Sequence, residues 1–368
     1  MLRHSLSAAF AVLMAAALST AHAATVSFTS VPAGYDTGSI ELGVPFAGAL
    51  APDPTTPTRL YVAVGSYGNM SIVRVDTVTE TTATVAAGFG TIGGIAALTN
   101  GDLAITENAT SDTILRAHDL NGDGDFLDAG EITQLIAPIL ADGGNFTGAQ
   151  VAVAPAGNAA GLPAGSLIVQ TADDATSSEL LVIENPLTAP AYRPAGGAFF
   201  SGFQFNGGVA FDLAGNVIMG ESLLDWMTFT SAGRIYALVN TNGNETIDPG
   251  ESHVLVDSAS FPSGLSDLAV SAENNVYFTE SSGRIRTFRL PDDLLTGTAT
   301  PTVFATTDGS YLSVCRFDNP SLSFAPAAAP PFARLYLSGW TSSWAAATNL
   351  LWIEPSSAPA SVGDWQLY

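Results

Sequence analysis

A short unit recurs along this chain: an apolar run, a turn bearing glycine or asparagine, a second apolar run and, in the clearest copies, a closing acid. Residues 207–221 write it as GGVAFDLAGNVIMGE, residues 93–107 as GGIAALTNGDLAITE, and residues 264–280 as GLSDLAVSAENNVYFTE. A looser copy in residues 148–170 opens with GAQVAVAP and, after an insert, closes with GSLIVQ. Such runs between turn residues predict paired strands. One strand–turn–strand unit cannot bury both of its faces alone. Its return every ~40–60 residues therefore predicts a β-propeller, with one unit seeding each blade.

The units divide the chain into six blades at residues 46–87, 93–138, 148–192, 207–257, 264–306 and 310–368, and Gly48, Gly94, Gly148, Gly208 and Gly264 open five of them. Helical periodicity is nearly absent beyond the N-terminal segment, so the fold class is all-β, a six-bladed propeller in one domain over residues 24–368. An open sheet edge invites aggregation, so the ring has to be closed. Residues 25–31 (TVSFTSV) are the strand expected to close it, beside residues 364–368 at the chain end.

Residues 1–23 read as a secretory signal: Arg3 in the n-region, an apolar stretch over residues 8–18, and Ala21-His22-Ala23 as the small-x-small cleavage site. No cysteine stands at that point for lipidation, and no later run is long and apolar enough to span a membrane. The expected location is secreted or periplasmic. Cys315 is the single cysteine, so no intrachain disulfide can form, and it reads as a core residue of an alternating strand. An exported chain without disulfides needs another way to fasten its loops.

Composition narrows the chemistry. Thirty-four acids face eleven arginines and no lysine, a net charge of −23. That balance argues against nucleic acid and anionic membranes as partners, and the missing lysine excludes Schiff-base chemistry and a phosphate-binding P-loop. Past the signal only His118 and His253 remain, too few for a histidine-rich metal centre. No G-x-S-x-G or H-E-x-x-H sequence occurs. Any catalysis would have to use carboxylates, tyrosines or a bound metal.

The strongest local motif is DLNGDGDFLDAGE at residues 119–131. Asp119, Asn121, Asp123, Asp125, Asp128 and Glu131 offer the alternating hard oxygens that calcium requires, and Gly124 falls at the sixth position, where such a loop bends. Glu131 lies at position thirteen rather than twelve, so either Asp128 or Glu131 is left to close the shell. Strand-like runs flank the loop, giving a calcium loop of EF-hand type without the EF-hand helices. Blade four carries a weaker relative with Asn240, Asn242, Asn244, Asp248 and Glu251. There asparagines replace aspartates, which lowers the charge and with it the affinity. Both loops are expected between third and fourth strands, on the face opposite the usual binding mouth, where calcium would serve structure.

At that binding mouth, Glu107, Glu221 and Glu280 close equivalent second strands. Asp225, Trp226 and Trp340 lie in connections directed there, with the phenylalanine-rich residues 196–206. Carboxylates beside aromatic surface suit a small polar molecule or carbohydrate, or a protein ligand; acids that cap their own loops and aromatics that fill gaps between blades are the alternative.

The blade pattern, apolar strand, x-G-N or N-G-D turn, apolar strand and acid, resembles that of NHL-repeat and gluconolactonase-like six-bladed propellers across most of the chain. The resemblance implies the fold. Gluconolactonase-like members hold a divalent metal in the central channel through a glutamate in an E-G-P context with an asparagine and an aspartate. No E-G-P occurs here, so no metal ligands carry over. The expectation is a calcium-stabilised binding or scaffold module, with a metal-assisted hydrolase or lyase acting on a carbohydrate or lactone as the alternative.

Overall fold

The computed structural model describes residues 25–356 except 45–46, 57, 67, 108–112, 137–149, 173–177, 197–203, 226–229, 245, 249, 261–262, 317–333 and 342–347. Before the first blade come β1 (Phe28–Ser30) and β2 (Tyr35–Glu41). Blade one is β3 (Ala47–Pro52), β4 (Arg59–Ser66), β5 (Asn69–Asp76) and β6 (Thr81–Phe89). Blade two is β7 (Ile92–Ala97), β8 (Leu103–Glu107), β9 (Thr113–Ala117) and β10 (Ile132–Ile136). Blade three is β11 (Val151–Val153), β12 (Leu167–Ala172), β13 (Ser178–Glu184) and β14 (Ala191–Gly196). Blade four is β15 (Gln204–Phe211), β16 (Val217–Asp225), β17 (Thr230–Leu238) and β18 (Ser252–Val256). Blade five is β19 (Leu265–Val270), β20 (Asn275–Glu280), β21 (Arg284–Arg289) and β22 (Thr302–Thr307). Blade six holds β23 (Gly309–Arg316), which carries Cys315, β24 (Leu335–Thr341) and β25 (Asn349–Pro355). Among the described residues, the one helical element is the 3-10 turn Ser258–Ser260, and no helix is long and apolar enough to cross a membrane.

Six antiparallel sheets result, and the ring closes at a different place from the one expected. The outer strand of blade six is β2, which pairs with β25 from Tyr35↔Pro355 to Glu41↔Asn349. The expected strand is shorter, β1, and it adds a fifth strand to the outer edge of blade five through Phe28↔Thr307. Residues 364–368 lie outside the described residues. The physical reason lies in Gly38. A Cβ there would collide with the Trp352 indole, so the less regular segment YDTGSIE is the one that can lie against β25. Arg334 covers Trp352 at 4.1 Å from the ring centroid while its Nε donates to Glu354 at 2.7 Å. Buried Asn349 then clasps the N-terminal segment, accepting from Val26 N–H and donating to Val26 O, both at 2.9 Å.

The core is a ring rather than a single mass. Six apolar clusters form, and each spans one pair of neighbouring blades, from Met70 and Ile105 between blades one and two round to Ile40, Leu60 and Tyr336 between six and one. Strand alternation explains this, since each twisted blade turns one apolar face to each neighbour. Fully burying one such side chain is worth roughly 1.5–3 kcal/mol. The first strands of five blades also carry a register shift near their starts, which bends them around the axis.

Candidate functional site: two acidic loops and an axial cavity

The loop at 119–131 joins β9 to β10, and the loop at 240–251 joins β17 to β18, so both connect third to fourth strands. Each reaches back to the preceding blade. Phe126 N–H donates to Val85 O at 2.7 Å, and the buried Phe126 ring enters the core between blades one and two. Ile247 N–H donates to Ala195 O at 2.7 Å and buries its side chain between blades three and four. Arg74 adds a bond to Gly124 O at 2.5 Å. The loops are therefore straps across blade boundaries.

Within the first loop, Asp119 accepts from Gly122 N–H at 2.6 Å and Gly124 N–H at 2.9 Å. Desolvation pushes its carboxyl up, but these bonds and those from the Asn121 and Asp123 amides together hold it below the ordinary value. Gly122 and Gly124 take positive φ of 79° and 88°, the bend the motif requires. Asn121 donates from one amide nitrogen to Asp123 at 2.9 Å and to Asp128 at 2.6 Å. The side chain of Asp125 accepts from Leu127 N–H. Glu131 turns inward. It is 1 % exposed, and its two oxygens accept from Leu120 N–H at 2.9 Å and Asp128 N–H at 3.0 Å. Of the two candidates for the last ligand, Asp128 faces the other oxygens and Glu131 clamps the loop's backbone. The donor chemistry fits a hard cation. The shell is not drawn in, however, and among the described residues no three His, Cys, Asp or Glu side chains stand together as a metal site.

The second loop repeats the scaffold. Buried Glu251 accepts from Thr241 N–H at 2.6 Å, Thr241 Oγ1 at 2.7 Å, Asn242 N–H at 3.1 Å and Asp248 N–H at 2.9 Å. Desolvation works upward on its carboxyl, yet these donors hold it below the ordinary value. Asp248 accepts from the amides of Asn242 at 2.6 Å and Asn244 at 3.0 Å, and Asn240 donates to Ala160 O at 3.0 Å. The histidines beside the loops are engaged elsewhere, His118 with Asp102 at 2.7 Å and His253 with Gly297 O at 2.8 Å.

The three glutamates expected at the ends of second strands do not line the central cavity; Glu107 and Glu280 do end β8 and β20, whereas Glu221 lies mid-strand because β16 runs on to Asp225. Each serves its own blade. Glu107 accepts from Gly90 N–H at 2.9 Å in the connection from blade one. Glu280 is wholly buried and holds Arg286, Ser263 Oγ at 2.5 Å and Ser282 Oγ at 3.0 Å. Glu221, also buried, stands beside Tyr236, whose hydroxyl is pushed up to about 12 by burial first and by this carboxylate next. Asp225 ends β16 and Trp340 lies half-buried in β24, while Trp226 and residues 197–203 lie outside the described residues.

Sequence reading missed Asp267. The inner strands of all six blades surround a cavity of ≈ 250 Å³ lined by alanine, valine, leucine, isoleucine and proline, with Thr99, Gln150 and Asp267 as its polar side chains. The lining runs from Asp267 to Pro54, Thr99 and Gly165 in first-to-second-strand turns, the end of the ring away from Glu107 and Glu280. Asp267 Oδ1 accepts from Leu268 N–H at 2.8 Å and Oδ2 from Val314 N–H at 3.0 Å. Burial outweighs both bonds and pushes its carboxyl up to about 7. A signal existed. Asp267 pairs with Thr279 as Gly94 pairs with Thr106, so an acid stands where another copy keeps glycine, and Gly264 falls just before β19.

No protein-family model matches the sequence, and no curated protein matches it. Solved structures do. A gluconolactonase from Xanthomonas campestris superposes with a TM-score of 0.55 at 12% identity over 90% of this chain and 95% of its own. A calcium-binding protein, regucalcin from Agrobacterium tumefaciens, gives 0.56 at 11% identity over 86% and 93%. An auxiliary nutrient binding protein from Bacteroides thetaiotaomicron gives 0.53 at 12% identity over 92% and 76%. The fold is the six-bladed propeller of the gluconolactonase and regucalcin type. At these identities the likeness reaches the architecture alone. For the channel metal that this resemblance implies, the described lining residues offer Asp267, Gln150 and Thr99 as polar side chains, a set with one carboxylate and too few side-chain ligands for a divalent shell.

Proposed function

We propose that this chain is an exported propeller acting as a binding or scaffold module, with calcium in the 119–131 loop fastening blade two to blade one. The lining of the axial cavity carries the reading. Its lining side chains are mostly apolar, and among the described residues it offers one buried acid rather than a convergent set of acid, base and nucleophile. In the loop, Asp119, Asn121, Asp123 and Asp128 are the side chains that would hold the ion, Asp125 adding its backbone carbonyl, with Glu131 as the clamp beneath them. Calcium would draw the carboxylates together in place of the Asn121 amide hydrogens.

The deciding experiment measures metal content and thermal midpoint of the mature protein with and without a chelator. One retained calcium, and a midpoint that falls on its removal, is expected. A chain that retains none and melts identically in chelator overturns the calcium part. Export is tested by the N-terminus of the protein recovered outside the cytoplasm, which should begin near Ala24. The shared architecture with a gluconolactonase favours a second reading, a metal-assisted lactone hydrolase. Turnover of gluconolactone by the purified protein with added divalent metal would establish that reading instead.

A further inference from the structure

We propose that the axial cavity below Asp267 binds a compact molecule carrying a single ammonium group. The inference deepens the binding-module reading and rests on it. Small or branched side chains from successive inner strands, Ala51, Ala97, Ala152, Val209 and Ala269 among them, leave room on the axis for a small hydrocarbon body, and polar groups share the exposed lining with them. The ≈ 250 Å³ of space restricts that body to a small ring or short branched chain.

Among the described lining residues Asp267 is the one ionisable side chain. Its two oxygens are aimed by two backbone N–H groups from different strands, Leu268 of β19 and Val314 of β23, so the carboxyl keeps one orientation. The elements packed around it present Gly208 from β15 and Thr279 from β20, neither of them charged. Glu280, next along β20, is held by Arg286 and two serines. A buried carboxylate without a cation is costly, and a ligand ammonium would supply the missing charge where the low dielectric strengthens the pairing. The net charge of −23 also concentrates cations at the surface, so an amine arrives favoured over an acid. A neutral molecule of the same shape gains the walls but not the ion pair.

The test uses isothermal titration of the mature protein with cyclohexylammonium chloride, against cyclohexanol as the neutral isostere. Saturable one-to-one binding of the amine, at least tenfold tighter than the alcohol, is expected. Asp267→Asn should weaken the amine tenfold or more and leave the alcohol unchanged. Ala152→Leu fills the cavity without touching the carboxylate and should remove both, which keeps the test intact if the Asp267→Asn variant does not fold. Equal affinity for amine and alcohol, amine binding that survives either substitution, or no binding of either probe overturns the proposal. In the last case the calcium-dependent midpoint still decides the scaffold reading on its own.

Discussion

In the strap of blade two, carboxylates stand where the strap of blade four carries amides. Asp119, Asn121 and Asp123 correspond to Asn240, Asn242 and Asn244, while Asp128 with Glu131 matches Asp248 with Glu251. The anchoring is the same in both: an inward glutamate gathers backbone N–H groups, and an apolar residue, Phe126 or Ile247, enters the neighbouring core. The filling differs. In the second strap two amides donate to Asp248, so its charge is answered from within the chain. In the first strap Asn121 alone donates to two carboxylates, and Asp119 and Asp125 add further charge. One loop answers its carboxylate with its own side-chain amides, whereas in the other, on the proposed reading, a cation would do so. That reading makes fastening by apolar plug and glutamate clamp separable from fastening by an ion.

Five measurements test that separation. The largest effect should come from the plugs: Phe126→Ala is expected to cost about 3–5 kcal/mol and Ile247→Ala about 2–5 kcal/mol in chemical denaturation, with or without calcium. If chelator abolishes the cost at Phe126, plug and ion are one device and the comparison fails. Calcium removal comes next. With free calcium a hundredfold above its dissociation constant, binding adds about 2.7 kcal/mol, and chelation should take that away. Asp119→Asn with Asp123→Asn, which rewrites the first strap in the chemistry of the second, should abolish the chelator response without unfolding the protein.

Glu251→Gln should cost about 1–3 kcal/mol, because one oxygen that accepts N–H groups becomes a donor. Its pH dependence follows from the lowered carboxyl. The unfolded chain takes up the proton first, so the stabilisation is complete above pH ~4.5 and is lost as pH falls through the folded value. The difference in stability between the native protein and the Glu251→Gln variant should therefore shrink on acidification below that point; a difference that is flat with pH would show that charge is irrelevant to the clamp. The smallest effect is expected from Asn242→Asp with Asn244→Asp. It should destabilise by about 1 kcal/mol in chelator, from self-repulsion, and recover when calcium is added.

Much of this was legible in the sequence because it is local. A strand–turn–strand unit is specified by residues next to one another, so the blade count could be read directly; Gly148, expected to open blade three, lies outside the described residues. The loop motif could be read for the same reason, including its weaker copy. Glu107, Glu221 and Glu280 were legible as equivalent positions but not as occupants of a site. A chain position says which strand end a carboxylate occupies, and it does not say that Gly90, Tyr236 or Arg286 waits beside it.

The sequence by itself determined the all-β repeat, the absence of lysine and disulfide chemistry, and the order of oxygen donors in both straps. Tertiary structure alone decided three things. It chose β2 over β1 to close the ring, because Gly38 leaves room for an indole contributed from more than 300 residues away. It separated Asp128 from Glu131 by turning one side chain outward and burying the other under its own loop. It also placed Asp267 on the axis, where strands distant in sequence converge and remove water from a carboxyl that no neighbouring residue in the chain would have marked. Desolvation and cross-blade packing are set by what surrounds a residue in space, and a linear order of residues does not contain that information.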